Sequence, residues 1–490
     1  MRKSGILMHI TSLPNPYGIG TMGKCAYDFV DFLSKAGQSY WQILPLSPTG
    51  YGDSPYQAFS TFAGNHYLID LDLLIRDGLL LQEEVDAVQW SDCDTRVSFQ
   101  KLYDNRLALL RKAFARFTPD ARYSSFINQN AEWLEDYGLF MALKEAFHGR
   151  DWQNWSVSLL MRLPGVLDGY RQELKETIDF HYFLQYTFFC QWEKLRAYAK
   201  EKGIRIIGDV PIYVPLDSAD VWANPQLFLL DQSRRPELVA GCPPDSFSAE
   251  GQRWGNPIYD WEAMKKSGYR WWLRRLAAAA KMYDVVRFDH FRGFESYWAI
   301  PAAEPTAING SWQKGPGMDF IGAVQKALPD LDFIAEDLGY VTQEVKALLR
   351  DSGYPGMKVL QFAFDSRESG DYLPHSYPVN SVCYSGTHDN LTMVQWFREA
   401  EPADVEAAKA YLGLNEEEGF VAGMLRGCMS SVSMLCVVQL QDYLELGGEA
   451  RMNFPGTLSA DNWTWRAAPG SITDDLAQKI FSMTKRYQRV

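Results

Sequence analysis

Three stretches of this chain run apolar and then break abruptly into acid. The fullest is Asp284-Val285-Val286-Arg287-Phe288-Asp289-His290-Phe291-Arg292-Gly293. Asp332-Phe333-Ile334-Ala335-Glu336-Asp337-Leu338-Gly339 and Val382-Cys383-Tyr384-Ser385-Gly386-Thr387-His388-Asp389-Asn390 repeat the form. Paired valines in a short apolar run predict a buried strand, here entered from the helix-like stretch Met264–Tyr283. In barrels of parallel strands, the carboxyl ends of the strands face the loops that carry the chemistry. Three such ends bring Asp289, Glu336 and Asp389 to one mouth. Alternation along the first strand puts Arg287 and Asp289 on the same side. A guanidinium there holds a carboxylate ionised and oriented.

The order of elements agrees with a barrel. Gly5–Ile10 reads as a strand, Ala26–Ala36 as a helix and Ser39–Leu46 as a strand, the βαβ unit of a parallel sheet. Pro48–Tyr56 is a loop dense in Gly, Pro and Tyr, of the kind that carries function. Phe99–Phe117, Trp133–Phe147 and Glu173–Lys202 are helical candidates. His148 and His181, in the same block, stand outside any ligand-like cluster. The barrel resumes at Ile204–Val214, with Asp209 where the apolar run ends. Glycine and proline crowd Ala219–Trp261, which predicts irregular chain long enough to form a lid. Thr342–Asp351 reads as a helix, Met357–Phe364 as a strand, Val432–Leu444 as the last strand–helix element and Ile472–Tyr487 as a closing helix. The expectation is an α/β protein, a single (β/α)8 TIM barrel over residues 1–490. It carries a helical insertion over about 73–202, a loop-rich lid over about 215–262 and no C-terminal β-domain.

Composition narrows the function classes. A net charge of −13 argues against a nucleic-acid footprint. The seven cysteines are scattered with no C-x-x-C pair, which argues against a zinc site or a disulfide framework. No signal peptide or membrane span is legible, so the cytoplasm is the expected compartment and no membrane partner is expected. An aromatic share of 14% suits sugar rings, whose C–H faces dock on aromatic planes.

Glycosyl transfer with retention needs a carboxylate nucleophile and a protonatable carboxyl about 5–5.5 Å away. Glu336, followed by Asp337 and facing Asp289, fits the acid/base, whose pKa burial and neighbouring charge would raise. Asp389, beside His388, is placed to grip sugar hydroxyls. Metal-assisted chemistry on three acids is the competitor, and Arg287 already occupies the cation's electrostatic place. Structural ion pairs at strand ends are the remaining reading. Neither a G-x-S-x-G elbow, an H-E-x-x-H nor a Walker loop occurs, and Gly18-Ile19-Gly20 reads as a lone turn.

Gly52-Asp53-Ser54-Pro55-Tyr56, Gly208-Asp209-Val210-Pro211-Ile212-Tyr213, the Pro-Pro-Asp and Trp-Gly-Asn-Pro segments of 241–257 and the three acidic strand ends occur in one order. In this the chain resembles the 4-α-glucanotransferases (amylomaltases or disproportionating enzymes), glycoside hydrolases related to α-amylases. The resemblance runs from His9-Ile10-Thr11-Ser12-Leu13-Pro14 to Asn462-Trp463-Thr464-Trp465-Arg466. It implies that Asp289 is the nucleophile, Glu336 the general acid/base and Asp389 the transition-state stabiliser, with Arg287 orienting Asp289. It further implies that Asp209, His388, Tyr56 and Ser54 line the subsite of the reacting glucose, with Asn453 and Pro455 bordering the groove. Trp254 and its neighbours in 241–257 would cover that groove, and Tyr51 would contact glucan at a second site. Ser246 departs from the larger residue often found there in the family, which weakens an expected stacking contact for the acceptor. The implied partners are α-1,4-glucan (maltodextrin) donor and acceptor, with no cofactor and no metal. An α-amylase-like hydrolase would use the same acids, and a silent glucan-binding barrel would normally have lost one of them.

Overall fold

Short runs such as Val285-Val286 and Val382-Cys383-Tyr384 suit strands buried on both faces. They form such strands in the computed structural model, which describes residues 2–50, 52–244, 248–366 and 371–490. In chain order, β1 (Lys3–Leu7), β2 (Tyr40–Gln42) and β3 (Arg205–Pro211) come first. β4 (Leu238–Cys242), β5 (Gln252–Pro257), β6 (Val285–Asp289), β7 (Ser296–Pro301) and β8 (Ser311–Lys314) follow. β9 (Asp332–Ala335), β10 (Gly356–Val359), β11 (Ser381–Tyr384) and β12 (Leu435–Gln439) are the last. Eight of these close a parallel barrel in the order β1-β2-β3-β6-β9-β10-β11-β12, with β12 returning to β1. Each barrel strand lies beside its successor, which is the (β/α)8 arrangement. In register, Asp209 of β3 sits beside Arg287 of β6, and Arg287 beside Ile334 of β9.

The strands are shorter than the apolar runs. β2 stops at Gln42, and Ile43 N–H still reaches Ile207 O at 2.9 Å. Pro45, two residues on, has no N–H to continue the ladder. β10 likewise gives way to the 3-10 turn Leu360–Phe364.

Between β2 and β3 the chain is helical, with Phe99–Arg116, Ala121–Ala146 and Lys175–Glu201 as its long elements. The second starts well before Trp133, where its apolar spacing first becomes regular. Asp120 caps it by accepting the N–H of Tyr123 at 2.7 Å. Helix Lys175–Glu201 docks on the barrel through two buried glutamines. Gln185 accepts Gly64 N–H at 2.7 Å and donates to Gly64 O at 2.9 Å, and Gln191 does the same with Asp70 at 2.7 and 3.2 Å. No helix among the described residues is long and apolar enough to cross a membrane.

The expectation that glycine and proline make Ala219–Trp261 irregular is corrected by a second, antiparallel sheet in the order β5-β4-β7-β8. Glycine is part of the reason this sheet forms. A Cβ on Gly241 would lie 2.2 Å from Gln252 O, so only glycine lets the two backbones meet there.

After β12 the chain returns along the first strand–helix unit. Thr484, in helix Asp474–Arg486, accepts from Gln38 Nε2 at 2.9 Å. Buried Arg489 donates to the carbonyls of Lys3 and Ser433, both at 3.0 Å, and ties the final turn beneath β1 and β12.

Candidate active site

Every acid singled out in the sequence lies at or just past the carboxyl end of a barrel strand. Asp209 is in β3, Arg287 and Asp289 are in β6, Glu336 follows β9, and His388 and Asp389 lie in the loop after β11. Tyr56 and Ser54 come from the loop after β2, and Asn453 from the stretch after β12.

Arg287 is the centre of the cluster. Its Nη1 donates to Asp209 Oδ2 at 2.6 Å and to Asp289 Oδ1 at 3.1 Å. The first pair is fully buried, whereas the Asp289 side chain keeps about a quarter of its surface open to the mouth (28%). Burial opposes the charge on Arg287, but the two carboxylates outweigh it and hold the guanidinium charged. The hydroxyl of Tyr56 donates to the same Asp209 oxygen at 2.7 Å. Ser54 shapes the turn that presents Tyr56, accepting its N–H at 3.2 Å.

Glu336 is 9% exposed and receives two backbone donors. His290 N–H reaches Oε2 at 2.7 Å and Leu338 N–H reaches Oε1 at 2.8 Å. His290 adopts φ 57°, the left-handed region uncommon for residues other than glycine. Burial pushes the Glu336 carboxyl up to about 7; the charge of Asp289 adds to this, while Arg287 and the two N–H donors oppose it. Burial also raises Asp289 above the usual carboxylate range, against the pull of Arg287. The charge of Asp337 is not among the main causes of the Glu336 shift, a correction to the expectation from its position. Its carboxylate turns away to accept Met357 N–H at 2.7 Å at the start of β10.

Asp389 has the most exposed carboxylate of the three, with 42% of its side chain open. Asn453 Nδ2 donates to its Oδ1 at 2.6 Å, and His388 Nε2 lies 3.4 Å from its Oδ2. Burial lowers the pKa of His388, with Asp389 opposing. Its imidazole stacks on Tyr56, with centroids 5.1 Å apart and planes at 13°. Trp254 of β5 packs edge-on to His290 at 4.9 Å and near Tyr213 at 6.3 Å. Pro455 is exposed on the rim, two residues past Asn453. His148 and His181 both lie in the helical block, the first exposed and the second buried. Tyr51 and Ser246 lie outside the described residues.

Two side chains to which the sequence assigned no role complete the cluster. Trp463 lies against both Tyr56 and His388, with centroids 5.8 and 5.9 Å away. Arg451 donates from Nη2 to Asp389 O and from Nε to Asn453 O, both at 2.8 Å. The available signal was proximity to Asn453 in a segment that reads only as a turn. The backbone donors to Glu336 leave no mark in the sequence, because almost every residue has an N–H.

A strand-end cluster of this composition can be compared with known proteins over the whole chain. The glycoside hydrolase family 77 profile, described as 4-alpha-glucanotransferase, matches residues 8–472. The chain is 48% identical over 486 residues to a 4-alpha-glucanotransferase of Clostridium butyricum, covering 98% of this chain and 100% of that one. It is 46% identical over 502 residues to one of Thermus thermophilus, covering 100% and 99%. Its fold is similar to that of the amylomaltase from Streptococcus agalactiae in complex with acarbose, with a TM-score of 0.97 at 41% identity and 100% of both chains covered. With the profile matching residues 8–472 and these relatives covering 98–100% of its length, the chain belongs to the 4-alpha-glucanotransferase family.

Proposed function

We propose that this enzyme moves segments of α-1,4-glucan between maltodextrins by a double displacement at Asp289. The observation that carries the reading is the contrast between two carboxyls at one mouth. Asp289 is bonded to Arg287, and Glu336 is buried with a pKa near 7. Different environments for two acids are the mark of a nucleophile and an acid/base.

Asp289 attacks the anomeric carbon and forms a glucosyl ester as the glycosidic C–O bond breaks. Glu336 gives its proton to the departing oxygen. Glu336, now a carboxylate, takes the proton of an acceptor 4-hydroxyl, whose oxygen displaces Asp289 and regenerates the free enzyme. Arg287 orients Asp289 through the 3.1 Å bond. Asp209, Tyr56, His388 and Ser54 line the reacting glucose, and Asp389, steadied by Asn453, grips its hydroxyls as charge develops on the ring. Asn453 and Pro455 border the groove.

Transfer rather than hydrolysis requires water to be kept from the ester while a sugar is positioned. Trp254 and the β4–β5 hairpin, packed on His290, are suited to cover the groove as a lid within the insertion over about 215–262. The helical insertion over about 73–202 braces the barrel beside it within a single catalytic unit. We assign the enzyme to the cytoplasm. The buried trio Cys383, Cys428 and Cys436 lies together as thiols, which suits a reducing compartment.

Incubation of the purified protein with maltotriose tests the assignment. Glucose and a ladder of longer maltodextrins, at constant total reducing ends, are expected. Rising reducing ends without longer products would make it a hydrolase, and no change at all would favour a silent binding protein or a substrate outside the α-1,4-glucans.

A further inference from the structure

Outside the acid cluster, two large aromatic side chains from separate segments are exposed side by side. Trp312 lies on β8, all four of whose residues are exposed, and keeps 38% of its surface open. Tyr340, in the loop that leaves Glu336, keeps 69%. Their ring planes are within 23° of each other, with centroids 6.4 Å apart.

Both are held by one buried arginine. The Arg292 guanidinium lies 3.9 Å from the Trp312 ring centroid. Its Nη1 donates to Tyr340 O and its Nη2 to Ser296 Oγ, both at 2.8 Å. Trp298 of β7 sits across the strands from Trp312 and meets it edge-on, with centroids 5.2 Å apart. A simple cover for Arg292 would account for Trp312. It would not account for the ring of Tyr340, since Arg292 uses only that residue's carbonyl.

Chain length bounds the position. Tyr340 is four residues from Glu336, and four residues span at most about 14 Å. Arg292 is three residues from Asp289, so the arginine and Tyr340 branch from the loops that leave β6 and β9 at the mouth.

We propose that Trp312 and Tyr340 form an outlying platform for the α-1,4-glucan chain, a site beyond the subsite of the reacting glucose. The inference rests on the α-1,4-glucan reading of the mouth. Exposed aromatic planes of this kind take the apolar C–H faces of sugar rings, and their pre-ordering by Arg292 reduces what binding must immobilise. Each ring added to a glucan that runs past the acids brings the platform more fully into play, so a long glucan gains more from it than maltotriose does.

The test compares wild type with Trp312→Ala, Tyr340→Ala and Tyr340→Phe, using maltotriose and long-chain amylose as substrates. Each alanine variant is expected to raise KM for amylose about three- to tenfold, with kcat unchanged and a smaller change in the maltotriose KM. Tyr340→Phe, which keeps the ring, is expected to match wild type. An unchanged amylose KM in both alanine variants would overturn the platform, as would an equal loss on maltotriose, which would mean a damaged rim. Wild type inactive on both substrates would instead remove the α-1,4-glucan reading itself.

Discussion

At the scale of residues, the chemistry turns on keeping two neighbouring carboxyls in different protonation states. Arg287 contributes by bonding Asp289 and Asp209, while the burial of Glu336 outweighs the pull of the same guanidinium on it. The sign of the pH dependence follows. The first step needs Glu336 protonated, and that fraction falls as pH rises through about 7. Attack needs Asp289 ionised, and burial shifts that requirement upward from the ordinary carboxylate range. A bell in kcat/KM for maltotriose is therefore expected, with its alkaline limb near pH 7 and both limbs belonging to the coupled set. Glu336→Gln should lower kcat by about 10²–10⁴-fold and abolish the alkaline limb. An alkaline limb that survives in Glu336→Gln would assign that limb, and the acid/base role, to another group.

At the scale of elements, the mouth is assembled from loops that the barrel strands bring together. The loop after β11 carries His388 and Asp389, and the stretch after β12 carries Asn453. Arg451 joins them by holding the carbonyls of Asp389 and Asn453. Asn453 N–H adds a bond to His388 O at 3.1 Å. Loss of the clamp leaves Asp389 free to drift, so Arg451→Ala should lower kcat about tenfold, about 1.4 kcal/mol of barrel-mouth alignment. Arg451→Lys, which restores one donor, should recover part of that loss. Arg451 is half-buried near the rim, so thermal unfolding of the variant should stay close to that of wild type. A fall in Tm with kcat unchanged would give Arg451 a structural role only.

At the scale of the whole molecule, the helical block is fastened to the barrel by polar groups as well as apolar contact. Gln185 and Gln191 each satisfy both the N–H and the C=O of one residue in the segment that follows the substrate-facing loop. Such pairs matter because an unpaired buried backbone group carries the full cost of desolvation. Gln185→Leu strands both groups of Gly64 and should destabilise the fold by about 1–3 kcal/mol. Chemical denaturation should show this, while the residual folded enzyme keeps its kcat. Equal stability of Gln185→Leu and wild type would mean that water replaces the glutamine.

Local sequence was enough to establish a parallel barrel whose strands end in acid. A short, continuously buried apolar run and its abrupt end are properties of neighbouring residues, readable over the length of a strand. Val285-Val286 followed by Arg287 and Asp289 states its strand and its functional end in one short run. The long helices were legible for the same reason, except where residues 121–132 are too polar to show a buried face. What each acid touches was settled by the packed fold alone. His290 and Leu338 give their N–H groups to Glu336, Asp337 turns to β10, and Arg451 ties Asp389 to Asn453. Gly241, read as a breaker of regular structure, instead admits a neighbouring backbone. These arrangements depend on how segments distant in sequence meet once the barrel closes, and no local pattern records that meeting.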